Sequence, residues 1–405
     1  MIIKNVKARQ IFDSRGNPTV EVKLITDKGN FKASVPSGAS TGSFEALELR
    51  DNGKDFKGKG VMKAVNNVNK KISKVIVNKK IEEVNDEVLI NLDGTENKSK
   101  LGANAILAVS MAIYRAKAYD ENLELWQYIA KVSKRKAKLP HPYSNVINGG
   151  VHAGNDLMFQ EFMLVPKEKT FHDDVRTLQE MYHDLKEMIK KKYGVSAINV
   201  GDEGGFAPNL KKPEEALDLL TKVIDNSSGN AVIALDVAAT ELKRKEGYEI
   251  EKGKIISGEK LIDYYKNLLK QYSIESIEDP FAEDDYSMYK KFKPKIQVVG
   301  DDLLVTNPKR IKYAIKNKLV NALLLKINQI GSVSEALQAA DLAFKANWNV
   351  MVSHRSGETT DDFISDLVVG LGTGQAKIGG FSRGERIAKY NRLLEIEEEH
   401  FNVTF

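Results

Sequence analysis

Hydrophobic residues recur with two different spacings in the first 120 residues of the chain. Near the start, Val20, Val22 and Leu24 alternate with charged residues, and a turn-forming stretch precedes a second run from Phe31 to Val35. Alternation with a period of two predicts half-buried strands. From Val61 to about Tyr119 the apolar spacing lengthens toward that of amphipathic helices. These patterns predict an antiparallel meander followed by helices, which together make an α+β unit.

Beyond residue 143 the pattern changes to short β-branched runs that alternate with amphipathic helices, which is typical of a parallel sheet or an α/β barrel. The predicted strands cover 231–235, 273–277, 296–299, 321–325, 349–352 and the short run 375–376. A Lys- and Arg-rich stretch separates the two patterns. We therefore expect an α+β domain over 1–130, a linker over 131–140 and a barrel over 141–405.

Each predicted strand of the second part stops at a polar residue. These residues are Asp236, Glu278, Asp301, Lys326, His354 with its neighbours Ser353 and Arg355, and Lys377. From Glu278 onward they follow one another at intervals of about 23 to 28 residues, the length of one strand and one helix. Because catalytic groups of an eight-stranded α/β barrel gather at the C-terminal strand ends, the spacing predicts a TIM-like barrel with a ring of charged groups at one mouth.

The composition narrows the chemistry that this ring can carry. The 405 residues include no cysteine, which excludes disulfides, thiolate catalysis and cysteine-ligated metal sites. The 61 basic and 56 acidic residues give a net charge of +5, too weakly basic to indicate nucleic-acid binding. The longest apolar-rich stretch, 105–114, is too short to span a bilayer, and the alternating start, 1–7, lacks the apolar core of a signal peptide. We expect a cytoplasmic protein that binds neither nucleic acid nor membranes.

Three carboxylates stand at consecutive predicted strand ends. Asp236, Glu278 and Asp301 would form an oxygen-rich cluster suited to a hard divalent cation, with Mg²⁺ as the first choice. Each of them could instead cap the helix that follows it. Lys326 emerges from the apolar run 322–325, where burial and a nearby dication would lower its pKa toward that of a general base. The other interpretation is a lysine that only balances the carboxylates.

Two glutamates and two histidines add to these candidates. Glu203 lies in the Gly-rich loop 201–208, and Glu161 precedes an apolar run. If that run is a strand antiparallel to its neighbours, both carboxylates lie at the same mouth, and their repulsion raises one pKa so that the group can act as an acid. His152, in a second Gly-rich loop, and His354 are candidate substrate contacts. Taken alone, each glutamate could be a surface carboxylate, and each histidine could be structural.

Taken together, these segments resemble the enolase family. The matching stretches are 13–21, 36–42, 101–105, 160–163, 201–208, 278–280, 300–302, 326–331 and 353–359. The resemblance runs nearly from end to end. It implies an N-terminal α+β domain followed by an eight-stranded barrel with one antiparallel early strand.

The resemblance also implies an activity and its metal ions. The activity is that of a hydro-lyase, which reversibly dehydrates 2-phospho-D-glycerate to phosphoenolpyruvate in glycolysis and gluconeogenesis with two Mg²⁺ per active site. Asp236, Glu278 and Asp301 match the ligands of the first ion. Ser40 matches the serine that joins the second ion, in the small-residue loop 37–42, which would act as a mobile lid rather than as a plain connector.

The remaining matches are groups that act on the substrate. Lys326 matches the base that removes the C2 proton, Glu203 the acid that helps the C3 hydroxyl leave, and Glu161 the carboxylate neighbour of that acid. The groups around the phosphate and carboxylate of the substrate match His152, His354, Arg355, Ser356 and Lys377.

Enolases that resemble this chain are usually dimers or larger assemblies, so we expect a homo-oligomer built on a dimer. Of two opposite-charge pairs that commonly cross that interface, Arg9 with Glu385 is kept. In the other, Glu21 faces Glu395 instead of an arginine, so we expect Glu21 to pair elsewhere, with Arg392 as a candidate replacement cation. Two other functions stay open: a superfamily racemase or cycloisomerase acting on an unphosphorylated acid, and a secondary binding or scaffold role.

Overall fold

The computed structural model describes residues 1–39 and 42–401. Its N-terminal part begins with an antiparallel sheet of three strands, β1 (Ile3–Phe12), β2 (Pro18–Thr26) and β3 (Asn30–Ser34), in that order. Val22 of the middle strand lies opposite both Ala8 and Ala33. The structure thus has the meander that the alternating pattern predicts, and the first strand extends to Phe12.

Helices cover one face of this sheet. Helix α4 (Ala103–Asp120) packs on β2 and β3, and every residue of its segment 103–113 is buried. Its many alanines let the helix backbone approach the sheet closely. The other helices of this part are α1 (Met62–Asn67), α2 (Ser73–Ile76), α3 (Asp86–Asp93) and α5 (Leu125–Ser133), with a π-helical turn over Val68–Ile72 between the first two.

A second sheet makes up the wall of a barrel. The strands after residue 140 are β4 (His141–Pro142), β5 (Ser144–Asn148), β6 (Glu161–Pro166), β7 (Ala231–Asp236), β8 (Lys243–Arg244), β9 (Gly247–Glu251), β10 (Lys254–Ile256), β11 (Ile274–Glu278), β12 (Gln297–Gly300), β13 (Ala322–Leu325), β14 (Asn349–Ser353) and β15 (Gln375–Lys377). Strands β8 to β10 form a small separate antiparallel sheet that the sequence pattern did not predict. The other nine, among the described residues, pair in the order β4-β15-β14-β13-β12-β11-β7-β6-β5.

The barrel closes through one split strand. Strands β4 and β5 flank Tyr143, whose N–H donates to the Ala376 carbonyl at 2.7 Å. Strand β4 pairs with β15 and β5 pairs with β6, so the split strand joins the two ends of the order, and eight strand positions surround the barrel. Strand β6 is antiparallel to both of its neighbours, whereas the pairs from β7 to β15 are parallel. The predicted α+β domain and TIM-like barrel with an antiparallel early strand are confirmed.

Apolar side chains pack on both sides of the barrel wall. On β13, Ala322 and Leu324 belong to the cluster inside the barrel, while Leu323 and Leu325 belong to the core between strands and helices. A parallel strand buried on both faces is apolar throughout, which explains the uninterrupted run. The outer layer and connections contain α6 (Phe171–Tyr193), α7 (Pro213–Asn226), α8 (Ala239–Leu242), α9 (Gly258–Gln271), α10 (Tyr286–Lys291), α11 (Pro308–Asn317), α12 (Ile327–Ile330), α13 (Val333–Lys345), α14 (Phe363–Leu371) and α15 (Gly384–His400).

Among the described residues, no helix combines the length and the apolar character that a membrane crossing requires.

Helix α15 is fastened to the loop after β14 by a buried ion pair. The Lys389 ammonium donates to Glu358 Oε2 at 2.8 Å and to the Thr359 carbonyl at 2.6 Å, and both charged side chains are almost fully buried. Glu358 also accepts the backbone N–H groups of Arg355 and Thr359. This pair therefore holds the loop that carries the predicted site residues His354 to Ser356.

Replacing Lys389 by Met should lower the free energy of unfolding by about 3 to 5 kcal/mol, because Glu358 would stay buried without its cation. Chemical denaturation measures this. The matched control is Lys345→Met, which removes an exposed ion pair with Asp341 and should change stability by no more than about 1 kcal/mol. Equal effects of the two substitutions would contradict the structural role of the buried pair.

Candidate active site

The polar residues at the strand ends meet at one mouth of the barrel. Asp236 at the end of β7 lies directly opposite Glu278 on one side and Glu161, at the start of antiparallel β6, on the other. The antiparallel direction of β6 thus brings Glu161 to the mouth, as predicted. A small polar cavity at this mouth is lined by His152, Gln160, Glu161, Glu203, Lys326, Ser353, His354, Arg355, Ser356 and Lys377.

The ammonium of Lys377 lies in the middle of the carboxylates. It donates to Asp236 Oδ2 at 2.9 Å and to both Glu278 oxygens at 2.9 and 2.8 Å, and it lies 3.2 Å from Glu161 Oε2. Burial alone would lower the pKa of Lys377, but the surrounding carboxylates, Asp236 first, raise it well above its ordinary value. Lys377 is predicted as a substrate contact, and the structure places it at the cavity as the shared cation of three carboxylates.

Lys326 pairs with the third predicted carboxylate ligand. Its ammonium donates to Asp301 Oδ2 at 2.5 Å, and the Gln329 amide donates to Asp301 Oδ1 at 2.8 Å. Burial acts to lower the pKa of Lys326, but the adjacent Asp301 outweighs it, and the pKa is raised. The predicted lowering refers to Lys326 beside a bound dication, which would compete for Asp301, and it stays a prediction.

Glu161, Glu203 and His152 form a compact group on the other side of the cavity. The ring Nδ1 of His152 lies 3.7 Å from Glu161 and 3.5 Å from Glu203, and the Asn145 amide donates to Glu203 at 3.2 Å. Burial and then the charge of Glu203 raise the pKa of Glu161 well above its ordinary value. Burial would raise the pKa of Glu203 too, but His152 and then His354 outweigh it and hold that pKa well below the usual range. One pKa of the pair is raised, as expected, and it is that of Glu161.

The loop after β14 carries the cationic side of the cavity. Arg355 donates to both oxygens of Glu45, at 3.1 and 3.0 Å, and to Asn328 at 3.0 Å. The hydroxyl of Ser356 accepts the backbone N–H of Ala39 at 2.9 Å. The N-terminal domain therefore reaches the barrel mouth on both sides of the predicted metal residue Ser40, which itself lies outside the described residues.

The carboxylates at the mouth outnumber the cations. Burial and then repulsion between neighbouring acids raise the pKa of Glu278 well above its ordinary value, with Asp236 as the main repelling charge. Asp302 is raised in the same way, with Asp301 as the main repelling charge. This surplus of buried negative charge, carried by hard oxygen atoms, fits a divalent cation. Among the described residues, two groups with closely spaced ligand atoms are His152, Glu161 and Glu203, and Asp279, Asp301 and Asp302.

The second of these groups shares only Asp301 with the predicted ligands. Asp279 accepts the backbone N–H groups of Asp301 and Asp302 at 3.0 and 2.7 Å, so it shapes the turn after β12. Asp236 and Glu278 meet instead at Lys377, while Asp301 meets Lys326. The structure thus brings the three predicted carboxylates to one mouth, with Lys377 bonded to Asp236 and Glu278 and Lys326 bonded to Asp301.

Sequence reasoning missed several groups that hold the site. The amide of Gln160 donates to Asp236 at 3.3 Å, Gln329 holds Asp301, and Glu45 holds Arg355. Gln160 and Gln329 lie inside the stretches that matched the family, and that was the available signal. Glu45 lies just beyond one of them, and nothing in its spacing shows that it contacts a residue 310 positions away.

Two family models together match nearly the whole chain. The model described as "Enolase, N-terminal domain" matches residues 3–129, and the model described as "Enolase, C-terminal TIM barrel domain" matches residues 136–404. The chain belongs to the enolase family. Membership supports a lyase-type enzyme of the enolase superfamily, and enolase-family domains typically use a divalent metal, which agrees with the buried acidic and histidine groups at the mouth.

Adding Mg²⁺ to this enolase-family chain should raise its thermal unfolding midpoint, because a ligand that binds only the folded state stabilises it by mass action, by about 2.7 kcal/mol at 100 times Kd. Asp301→Asn should weaken the response sharply, since it removes a full carboxylate charge. The control variant Asp341→Asn, on the exposed face of α13, should keep the full rise of the midpoint with Mg²⁺. A thermal unfolding midpoint that does not change when millimolar Mg²⁺ is added would count against the metal site.

Proposed function

We propose that this chain dehydrates 2-phospho-D-glycerate to phosphoenolpyruvate and water, in glycolysis and gluconeogenesis in the cytoplasm. One observation carries the proposal: Lys326, Glu203 and the cationic residues Arg355 and Lys377 line the same small cavity beside a cluster of buried carboxylates. This reaction needs a base for a C–H proton, an acid for a departing hydroxyl, and positive charge for a phosphate and a carboxylate.

Substrate binding divides between two sides of the cavity. His152, His354, Arg355 and Ser356 would hold the phosphate end, since a guanidinium and small hydroxyl and imidazole donors suit an oxyanion.

The carboxylate end would face the metal residues. Asp236, Glu278 and Asp301 would hold one Mg²⁺, and Ser40 would join a second. When bound, the ions supply positive charge beside the substrate carboxylate, and a Lys base with one or two Mg²⁺ is a known arrangement in enolase-superfamily sites.

The residues of this chain would move two protons. Lys326 Nζ, as the neutral amine, takes the proton from C2, and the electron pair of that C–H bond moves onto the carbon framework. The C3–O bond then breaks, and the oxygen leaves as water with a proton delivered through Glu203. Glu161, whose pKa is raised by burial and by Glu203, is the neighbour that stores this proton. The carboxylate oxygens of the two glutamates lie within 4.8 Å of one another and of His152.

The other candidate functions differ in what they require of this cavity. A superfamily racemase or cycloisomerase would act on an unphosphorylated acid and would not need Arg355 and Ser356 turned toward an anion. A scaffold role alone would not require an acid and a base to line one buried cavity. In this proposal a scaffold role is secondary to catalysis.

We also propose that the chain assembles as a homodimer or a larger dimer-based oligomer. Arg9 donates to Glu21 at 2.6 Å within the chain, and Lys32 lies 3.4 Å from the same carboxylate. Arg392 donates to Glu395 at 2.9 Å, beside its contacts with Asp366. Both carboxylates that would face each other across the interface thus already have cations. The contact of Arg9 with Glu385 of a second copy stays a prediction.

The purified protein with Mg²⁺ should convert 2-phosphoglycerate to phosphoenolpyruvate, followed by the ultraviolet absorbance of the product. A chelator should abolish the activity, and Mg²⁺ in excess should restore it. Racemisation or cyclisation of an unphosphorylated acid, with no phosphoenolpyruvate formed, would instead support the alternative function.

Lys326→Ala should reduce turnover by about 100-fold to 10,000-fold, because the general base is lost while the three carboxylates remain. The variant should also lose exchange of the C2 proton with solvent deuterium, measured by NMR. Exchange at a near wild-type rate would show that Lys326 is not the base.

Glu203→Gln should have a different effect, since it removes the acid and keeps the base. Solvent exchange at C2 should continue while formation of phosphoenolpyruvate stops. If exchange and elimination disappear together, the two residues do not have separate roles.

Size-exclusion chromatography with light scattering at micromolar concentration should show a dimer or a multiple of it. A monomer alone would refute the proposed assembly. A structure with Glu21 bonded directly to Glu395 of a second copy would refute the expected pairing.

A further inference from the structure

Arg386 is a fully buried arginine that the proposed mechanism does not use. It lies in the first turn of α15, and its side chain is 0% exposed. Its Nη1 donates to His354 Nδ1 at 2.7 Å and to the Arg355 carbonyl at 2.6 Å, and its Nη2 donates to the carbonyls of Asp202 and Ser356 at 2.9 and 2.7 Å. One guanidinium therefore holds the loop before Glu203 and the loop of His354 to Ser356 at the same time.

A glycine beside Arg386 allows the arginine to approach His354 this closely. Gly379 has φ +91°, and a Cβ there would lie 2.7 Å from the Arg386 side chain, 3.0 Å from the Glu203 carbonyl and 3.0 Å from Cε1 of His354. Any other residue at 379 would force these groups apart as well as strain the backbone. The position thus admits only glycine while the arginine and the imidazole stay in contact.

The contact decides which nitrogen of His354 carries the proton. A guanidinium has only donors, so His354 Nδ1 must accept. A neutral imidazole has one N–H, which then resides on Nε2. Nε2 lies 3.5 Å from Glu203 Oε2. The imidazolium form would place an N–H on Nδ1, directed at a permanent cation.

We propose that Arg386 is a positioning residue that fixes His354 as the neutral tautomer with its Nε2–H directed at Glu203. The tautomer assignment stands on the contacts alone, and its consequence for turnover rests on the proposed function. His354 is then a neutral imidazole whose Nε2–H lies beside the acid, 3.5 Å from Glu203 Oε2, and it is not a source of protons.

The charges around the ring agree with this assignment. Burial lowers the pKa of His354 to about 3; Glu203 opposes this, while Arg386 and Lys377 add to it. Without the arginine, one of the charges that lower this pKa is gone, so the ring takes up a proton at a higher pH than in the wild type and then forms an ion pair with Glu203. That pair would lower the pKa of Glu203, which is already below its usual range, still further, so that less of Glu203 would be protonated.

Nuclear magnetic resonance of protein labelled with ¹⁵N in its six histidines tests the assignment in buffer with Mg²⁺ and without substrate. The His354 signals are identified by their loss in His354→Gln. In the wild type we expect the Nε2–H pattern with no titration between about pH 5 and 9. An Nδ1–H pattern, or protonation of the wild-type ring in that range, overturns the proposal.

Arg386→Met should mix the two tautomers and bring the His354 titration into the range of about pH 5 to 8. The matched control is Arg383→Met, which removes an arginine at the start of the same helix that bonds to the Ser14 carbonyl and Glu385 and not to His354. The control should keep the wild-type tautomer. An unchanged His354 spectrum in Arg386→Met overturns the proposal, and if that variant fails to fold, the wild-type spectrum still decides it.

Turnover of 2-phosphoglycerate gives the functional consequence. Arg386→Met should lose activity on the order of tenfold between pH 8 and pH 6, whereas the wild type and Arg383→Met should not show this added acid limb. Arg386→Lys, which keeps a cationic donor, should restore part of the acid-side activity. An acid limb equal in all variants overturns the functional consequence. Failure of the proposed reaction itself would leave no turnover in the wild type, while the spectrum would still report the tautomer.

Discussion

The ammonium of Lys377 is the contact on which the barrel mouth depends. Carboxylates from three adjacent strands, Asp236, Glu278 and Glu161, converge on it, and they would repel one another strongly without it. Charges buried this deeply are tolerated only when they are paired and hydrogen-bonded. The last strand of the barrel, β15, thus supplies the cation that allows β6, β7 and β11 to carry acids at the mouth, although it pairs with none of these three strands.

The same principle extends outward from the mouth. Asp301 pairs with Lys326, and Arg355 pairs with Glu45 of the N-terminal domain, so the two domains share one network of opposite charges. Within this network the acids remain in surplus, and burial, followed by repulsion from Asp236, raises the pKa of Glu278. The ion pairs stabilise the folded site, but its negative charge still exceeds its positive charge. Such a site is suited to a divalent ion, and with the ion bound it is suited to an anionic substrate.

Much of this architecture could be predicted from the sequence because it depends on local pattern. Apolar runs such as 322–325 mark buried strands, and the polar residues that follow them mark the mouth. The contacts that tune the site could not be predicted in this way. Lys377 pairs with a carboxylate 141 positions away, and Arg386 contacts a ring 32 positions away. No periodicity records such pairings, so the raised pKa of Lys326 and the low pKa of Glu203 were visible only in three dimensions.

The dependence of the mouth on Lys377 is tested most directly by the unfolding free energy of Lys377→Met, measured by chemical denaturation from pH 5 to pH 8. We expect a loss of about 3 to 5 kcal/mol at pH 8, because three buried carboxylates lose their shared cation. The loss should shrink toward pH 5, since a carboxyl group with a raised pKa stabilises the folded state at low pH, and this stabilisation disappears as the pH rises. A variant as stable as the wild type at pH 8, or a loss independent of pH, would contradict the account.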